Sequence, residues 1–228
     1  EVMAEVVHEF RSHNADISYH PIVGGGANAC IMHYRDNDQP LCDGDLLLLD
    51  AGCEHDYYAS DITRTFPVSG RFKPAQRALY DVVLEAQLAA IDKVRPGNHW
   101  NQPHEAAVRA VTSGLVKLGL LKGRVPALIR DQAYLPFFNH RTGHWLGLDV
   151  HDVGDYKVGG EWRVLEPGMA LTVEPGIYIR PSARTPKEFW NIGIRIEDDV
   201  LVTRDAPEVL TAALEKTPEA IEALVQAA

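Results

Sequence analysis

Residues 142–154 read T-G-H-W-L-G-L-D-V-H-D-V-G, residues 171–176 read L-T-V-E-P-G, and residues 191–199 read N-I-G-I-R-I-E-D-D. Each segment sets a metal-competent side chain, His144, Glu174 or Glu197, beside an apolar run or a turn. Upstream, L-L-L-L-D-A-G at 46–52 and S-D-I-T-R-T-F at 60–66 add Asp50 and Asp61. An acid within a β-favouring run needs a solvated face or a cation, because charged groups are seldom buried without a partner.

The two halves of the chain echo one another. Residues 44–52 and 168–176 share a plan: a turn glycine, an apolar strand, an acid six residues after that glycine (Asp50, Glu174) and a second turn glycine. Each unit is followed by a strand with another acid, Asp61 in the first half and Glu197 in the second. Two such units facing each other would gather four acids. With helices packed outside a shared curved sheet, the expected class is α+β with pseudo-twofold halves.

Four carboxylates at the ends of apolar strands cannot all stay ionised without counter-charge, because like charges and desolvation both disfavour the anions. Two divalent cations would neutralise them. An oxygen-rich set with one imidazole suits manganese, iron, cobalt or zinc, and its carboxylate content favours manganese over zinc. Cations roughly 3.5–4 Å apart share a hydroxide that is nucleophilic near neutral pH, so the pattern predicts a metal-dependent hydrolase.

Composition narrows the setting. The 228 residues suit one mixed α/β domain, and 46% hydrophobic with 24% charged residues contain no apolar run near the roughly 18 that a membrane helix needs. Lys and Arg number 22 against 32 Asp and Glu, a net charge of −10, which argues against nucleic acid as a partner. Cys30, Cys42 and Cys53 lack zinc-finger spacing and are odd in number, which points to a reduced compartment, the cytoplasm, with no disulfide framework. The triple glycine at 24–26 lacks a following Gly-Lys-Ser/Thr and is not read as a phosphate loop.

Periodicity places the elements. Val2, Val6 and Phe10 share one helical face with no cap or Met before them, so the chain is expected to begin inside a helix, with earlier residues absent. Residues 19–34 read as two extended pieces around the glycines, 46–49 as a buried strand leaving through Asp50, and 57–68 as its paired strand. Leu79, Val82, Val83, Ala86 and Ala90 predict a helix over 74–94; Ala107, Val111, Leu115 and Leu118 predict another over 103–118. Strands are expected at 170–173, 176–180 and 192–203, and a closing helix from Thr217-Pro218.

The motifs S-D-I-T-R-T-F-P, G-H-W-L-G-L-D-V-H-D-V-G, L-E-P-G-M-A-L-T-V-E-P-G-I-Y-I and G-I-R-I-E-D-D-V-L-V-T resemble the pita-bread metallopeptidases, most closely the Xaa-Pro aminopeptidase (aminopeptidase P) branch, from residue 1 to about 205. The resemblance implies a pita-bread fold over 1–228 and two divalent ions, usually manganese. Asp50 and Asp61 would bind the first, His144 and Glu174 the second, with Asp61 and Glu197 bridging. It also implies that His33, His140 and His151 line the cleft, with His33, His151 and Glu174 as catalytic groups: His151 as donor to an oxyanion, Glu174 as proton shuttle. Tyr178 and Arg195 join His140 around the substrate, and Arg195, two residues before Glu197, would orient that carboxylate.

The implied substrates are peptides with proline second, whose Xaa–Pro bond is a tertiary amide without an N–H. The whole protein would be a homo-oligomer. Prolidase, which takes Xaa-Pro dipeptides, methionine aminopeptidase and a non-catalytic binding relative are the alternatives. One departure touches the proline-side pocket: Arg141 follows His140 where the family commonly has glycine.

Overall fold

A computed structural model describes residues 1–182 and 184–227. The first half contains α1 (Val2–Ser12), β1 (Asp16–Ile17), β2 (Ile22–Gly25), β3 (Leu46–Ala51), β4 (Cys53–His55), β5 (Tyr58–Ala59) and β6 (Ile62–Pro67). Helices α2 (Pro74–Ile91), α3 (Asn101–Lys117) and the short α4 (Val125–Arg130) follow. The second half adds β7 (Lys157–Val158), β8 (Glu161–Trp162), β9 (Ala170–Val173), β10 (Gly176–Ile179), β11 (Ile192–Arg195), β12 (Asp198–Leu201), β13 (Glu208–Val209) and α5 (Pro218–Ala227).

Every strand pair is antiparallel, and each half is built around one hairpin-like pair. β3 lies between β2 and β6, placing Asp50 opposite Ile22 on one side and Thr63 on the other. β12 lies between β13 and β9, with Asp198 opposite Val173. The halves meet where β6 runs beside residues 195–197: Glu197 N donates to Thr63 O at 3.1 Å, and the Thr65 hydroxyl donates to Arg195 O at 3.0 Å.

The helices cover the opposite face, as the α+β reading expects. On α2 the residues Leu79, Val82, Val83, Ala86 and Ala90 are buried, and Ala107, Val111 and Leu115 on α3 face the same core with Ile177, Ile194 and Ile196 from the strands. A Cβ on Gly114 would sit 2.4 Å from a Val82 methyl, so the two helices cross at a contact that only glycine permits. Helix α1 is amphipathic as predicted, with Val2, Val6 and Phe10 half-buried.

Three strand expectations are corrected. Residues 19–34 yield one strand, β2; Gly26 takes φ +54° and starts a 3-10 helix, Gly26–Cys30, that packs beneath β11 in place of a second strand. The run 57–68 is divided at Ser60, whose hydroxyl bonds both the N–H and the C=O of Cys53, leaving Asp61 N to donate to Asp199 Oδ2. The run 192–203 breaks at Ile196–Glu197, because β11 pairs with β10 while β12 crosses to β9. Both breaks fall at an acid, Asp61 or Glu197, for which the resemblance implies a bridging role.

Candidate functional site

Between the halves lies an open cleft of about 900 Å³, and Asp50, Asp61, His144, Glu174 and Glu197 all line it. Asp50 comes from β3, Asp61 from the turn before β6, Glu174 from the end of β9 and Glu197 from the break between β11 and β12. Donor atoms of Asp61, His144 and Glu197 lie within 4.8 Å of one another. His144 Nε2 stands 3.3 Å from Asp61 Oδ2 and 3.8 Å from Glu174 Oε1, and the Tyr19 hydroxyl lies 2.5 Å from both Asp50 Oδ1 and Asp61 Oδ1. All five residues named from sequence therefore converge.

Glycine sets the position of His144. A Cβ on Gly143 would fall 2.0 Å from Thr172 O, so only glycine allows this loop to lie against β9, where Thr172 N donates to His144 O and His144 N meets Thr172 Oγ1. His144 Nδ1 lies 3.0 Å from Trp145 O, a contact that keeps a proton on Nδ1 and turns Nε2 toward the acids. Gly143→Ala is expected to destabilise the protein by about 1–3 kcal/mol through overpacking. A chemical-denaturation midpoint indistinguishable from wild type would show that the loop can move away at no cost.

The electrostatics call for a cation. Burial, reinforced by the charges of Asp61, Glu174 and Asp50, pushes Glu197 well above the usual carboxylate range. Burial likewise lifts Glu174 to about 7 and raises Asp50, against the opposing pull of Arg195 on the latter. Burial disfavours a charge on His144, yet Asp61 and Glu174 outweigh it and bring the imidazole to about 8. Tyr19 carries one phenolic proton against two carboxylate oxygens at 2.5 Å, so one of these contacts sets oxygen lone pairs against each other. Positive charge among these oxygens relieves both strains, so the donor set fits divalent metal.

Arg195 lies on β11 and touches a different carboxylate from the one expected. Its Nη2 donates to Asp50, its Nη1 to Tyr178 OH at 2.9 Å, and its Nε to Thr63 Oγ1 at 3.1 Å. The Glu197 carboxylate is held by Thr63, whose hydroxyl donates at 2.6 Å. The chain break before Glu197 undoes the strand alternation that would have put the two side chains on one face. His140 joins this group through Nε2, 3.0 Å from Tyr178 OH, and through Nδ1, 2.7 Å from Arg141 O. Burial and the charge of Arg195 depress His140 to about 3, so its ring stays neutral. The exposed His151 sets its ring edge-on 4.2 Å from that of His144, and the exposed His33 lines the cleft.

Sequence reasoning missed Tyr19 and Thr63, which join the acids of the first half to those around them. It also missed the support behind Glu197. Arg64 Nη1 donates to Glu197 O at 2.5 Å, and Arg64 Nη2 bonds the fully buried Asp198 at 2.7 Å. The alternation Thr63-Arg64-Thr65 on β6 held a signal: successive side chains face opposite sides, one toward the cleft and the next toward the core.

Residues 1–204 match the model of metallopeptidase family M24. The chain belongs to metallopeptidase family M24. It is 53% identical to a Haemophilus influenzae Xaa-Pro aminopeptidase over 99% of its own length and 52% of the relative. It is 54% identical to one from Escherichia coli, over 98% of this chain and 51% of that one. The solved Pseudomonas aeruginosa aminopeptidase PepP superposes with a TM-score of 0.97 at 61% identity, over 98% of this chain and 51% of that structure. The chain thus spans about half the length of these M24 relatives, and its two-halved sheet with external helices is their pita-bread fold.

Proposed function

We propose that residues 1–228 form the catalytic domain of an Xaa-Pro aminopeptidase, releasing the N-terminal residue from peptides with proline in second position. The convergence of four carboxylates and one imidazole on one cleft carries this reading. A binding protein derived from such a fold has no need to keep all five. Asp50 and Asp61 would hold one divalent cation, His144 and Glu174 a second, with Asp61 and Glu197 shared; manganese suits this oxygen-rich set best, and zinc, cobalt or iron are the other candidates. Such a pair, when bound, supplies counter-charge to the acids and makes water nucleophilic at neutral pH for attack on the scissile carbonyl.

The remaining work falls to this chain's own side chains. Arg195 and Tyr19 hold Asp50 from two sides, and Thr63 holds Glu197, so the acids keep one orientation. His151, whose ring lies beside that of His144 at the cleft surface, donates a hydrogen bond to the carbonyl oxygen as charge builds there; its position 4.2 Å from the His144 ring supports this role. Glu174, lifted to about 7 by burial, carries a proton to the departing proline nitrogen, and His33, His140 and Tyr178 shape the space around the substrate. Among the described residues no helix is long and apolar enough to cross a membrane. The free thiols Cys30, Cys42 and Cys53 suit a cytoplasmic setting, and the whole protein is proposed to assemble as a homo-oligomer.

Turnover of an Xaa-Pro-Xaa tripeptide is expected to exceed that of the Xaa-Pro dipeptide and of a Met-Ala peptide, to vanish with chelator and to return with manganese. Preference for the dipeptide would replace this reading with prolidase, and preference for the Met-Ala peptide with methionine aminopeptidase. Metal-free protein that stays inert with added manganese would make it a binding relative.

A further inference from the structure

Besides its acids, the cleft has two cations in its wall, Arg141 and Lys157, that rest on one tryptophan and form no ion pair among the described residues. Lys157 and Trp162 are direct cross-strand partners in the β7–β8 hairpin, and the Lys157 ammonium lies 4.4 Å from the centre of the indole ring. The Arg141 guanidinium lies 5.3 Å from the same ring. All three residues line the cleft that holds Asp50, Glu174 and Glu197. Arg141 is tied to the site through the chain itself, between His140 and Thr142, whose carbonyl accepts from Glu174 N at 2.8 Å.

The chemistry around these cations is that of an anion site. Among the described residues eight of the 22 Lys and Arg side chains form ion pairs, and neither Arg141 nor Lys157 is one of them. What sets these two cations apart is that they share one tryptophan in the wall of the acid-bearing cleft. Glu105, whose charge acts on Arg141, is bonded by another side chain: Asn101 donates to Glu105 Oε1 at 2.6 Å and accepts from Arg141 with its own Oδ1. Arg141 therefore keeps further N–H donors in a fixed fork geometry that matches a carboxylate, and the ammonium beside it adds a second charge. Stacking on Trp162 holds both cations in place without neutralising either. A peptide with its N-terminus at the acid cage carries one obligatory anion, its C-terminal carboxylate, and a cleft of about 900 Å³ is of the size that encloses a small peptide.

We propose that Arg141 and Lys157, held on Trp162, bind a carboxylate of the peptide substrate and make this cleft selective for short peptides with a free C-terminus. The proposal rests on the peptidase reading of the same cleft. The carboxylate has two possible sources, the chain terminus or an acidic side chain, and the chemistry recognised is the same.

The test uses the metal-loaded protein and two peptide pairs: Ala-Pro-Ala against its C-terminal amide, and Ala-Pro-Glu-amide against Ala-Pro-Gln-amide. Preference for the free acid over the amide is expected to reach roughly tenfold in kcat/KM, the scale of one charge-assisted hydrogen bond, and to lie mainly in KM. In the Arg141→Gln/Lys157→Met double variant that ratio should fall toward one. Both side chains are exposed and a matching thermal melt will confirm the fold. Preference in the Glu/Gln pair alone assigns the site to acidic side chains and overturns the length selectivity. Equal turnover within both pairs, or a preference that survives in the double variant, overturns the proposal while leaving the peptidase reading intact. No turnover of any of the four peptides overturns both.

Discussion

Glu197→Gln is expected to lower kcat/KM by more than about 100-fold, beyond the effect usual for residues that only support metal ligands, without lowering the stability of the metal-free protein. Glu197 is 2% exposed, and its burial and the neighbouring acids push its carboxyl well above the ordinary range. Glutamine preserves the shape and can still accept the 2.6 Å hydrogen bond from Thr63, but it removes a carboxylate that folding must otherwise neutralise or desolvate. Catalysis and metal-free stability should therefore move in opposite directions. Metal content, kcat/KM and the melting temperature of the metal-free variant check this together. Near-wild-type turnover with full metal content would remove Glu197 from the centre of the reaction.

Asp198→Ala should have the largest effect on stability, about 3–5 kcal/mol, because it strands buried cations. Asp198 is fully buried and accepts from Arg64 at 2.7 Å, Lys216 at 2.6 Å, Gln87 at 2.7 Å and Thr211 at 2.7 Å. Arg64 in turn donates to the carbonyls of Leu214 and Glu215, so one carboxylate ties β12, α2, β6 and the segment before α5 together. For a chain of this length the expected fall in melting temperature is roughly 6–20 °C. Asp198→Asn, which keeps partners for Thr211 and Gln87, should lose distinctly less. A fall of under about 2 °C for the alanine variant would mean that the network relaxes around the gap and is not what joins these elements.

The next residue, Asp199, illustrates how differently two adjacent acids behave. It accepts from Asp61 N, while its other oxygen, Oδ1, is buried without a hydrogen-bond partner among the described residues. Burial raises its carboxyl to about 7, whereas Arg64 and Lys216 outweigh burial and hold Asp198 below the usual range. The run I-E-D-D gives Asp198 and Asp199 no local difference; their partners distinguish them.

The chain's own order of residues determined a good deal. Acids at the ends of apolar runs, a histidine beside glycine and the repeated glycine–strand–acid–glycine plan identified Asp50, Asp61, His144, Glu174 and Glu197, and periodicity over 79–90 and 107–115 located the two long helices. These are local properties: hydrophobic period and residue chemistry are written in neighbouring positions. The tertiary structure alone decided where two β-favouring runs break, at Ser60 and at Ile196–Glu197, because a strand changes sheets only when a partner distant in sequence competes for its hydrogen bonds. It likewise decided that Arg195 serves Asp50, that Tyr19 reaches two acids and that Arg141 stands over Trp162 with no counter-ion among the described residues. Such pairings depend on distances between residues far apart in the chain, and no local pattern contains them.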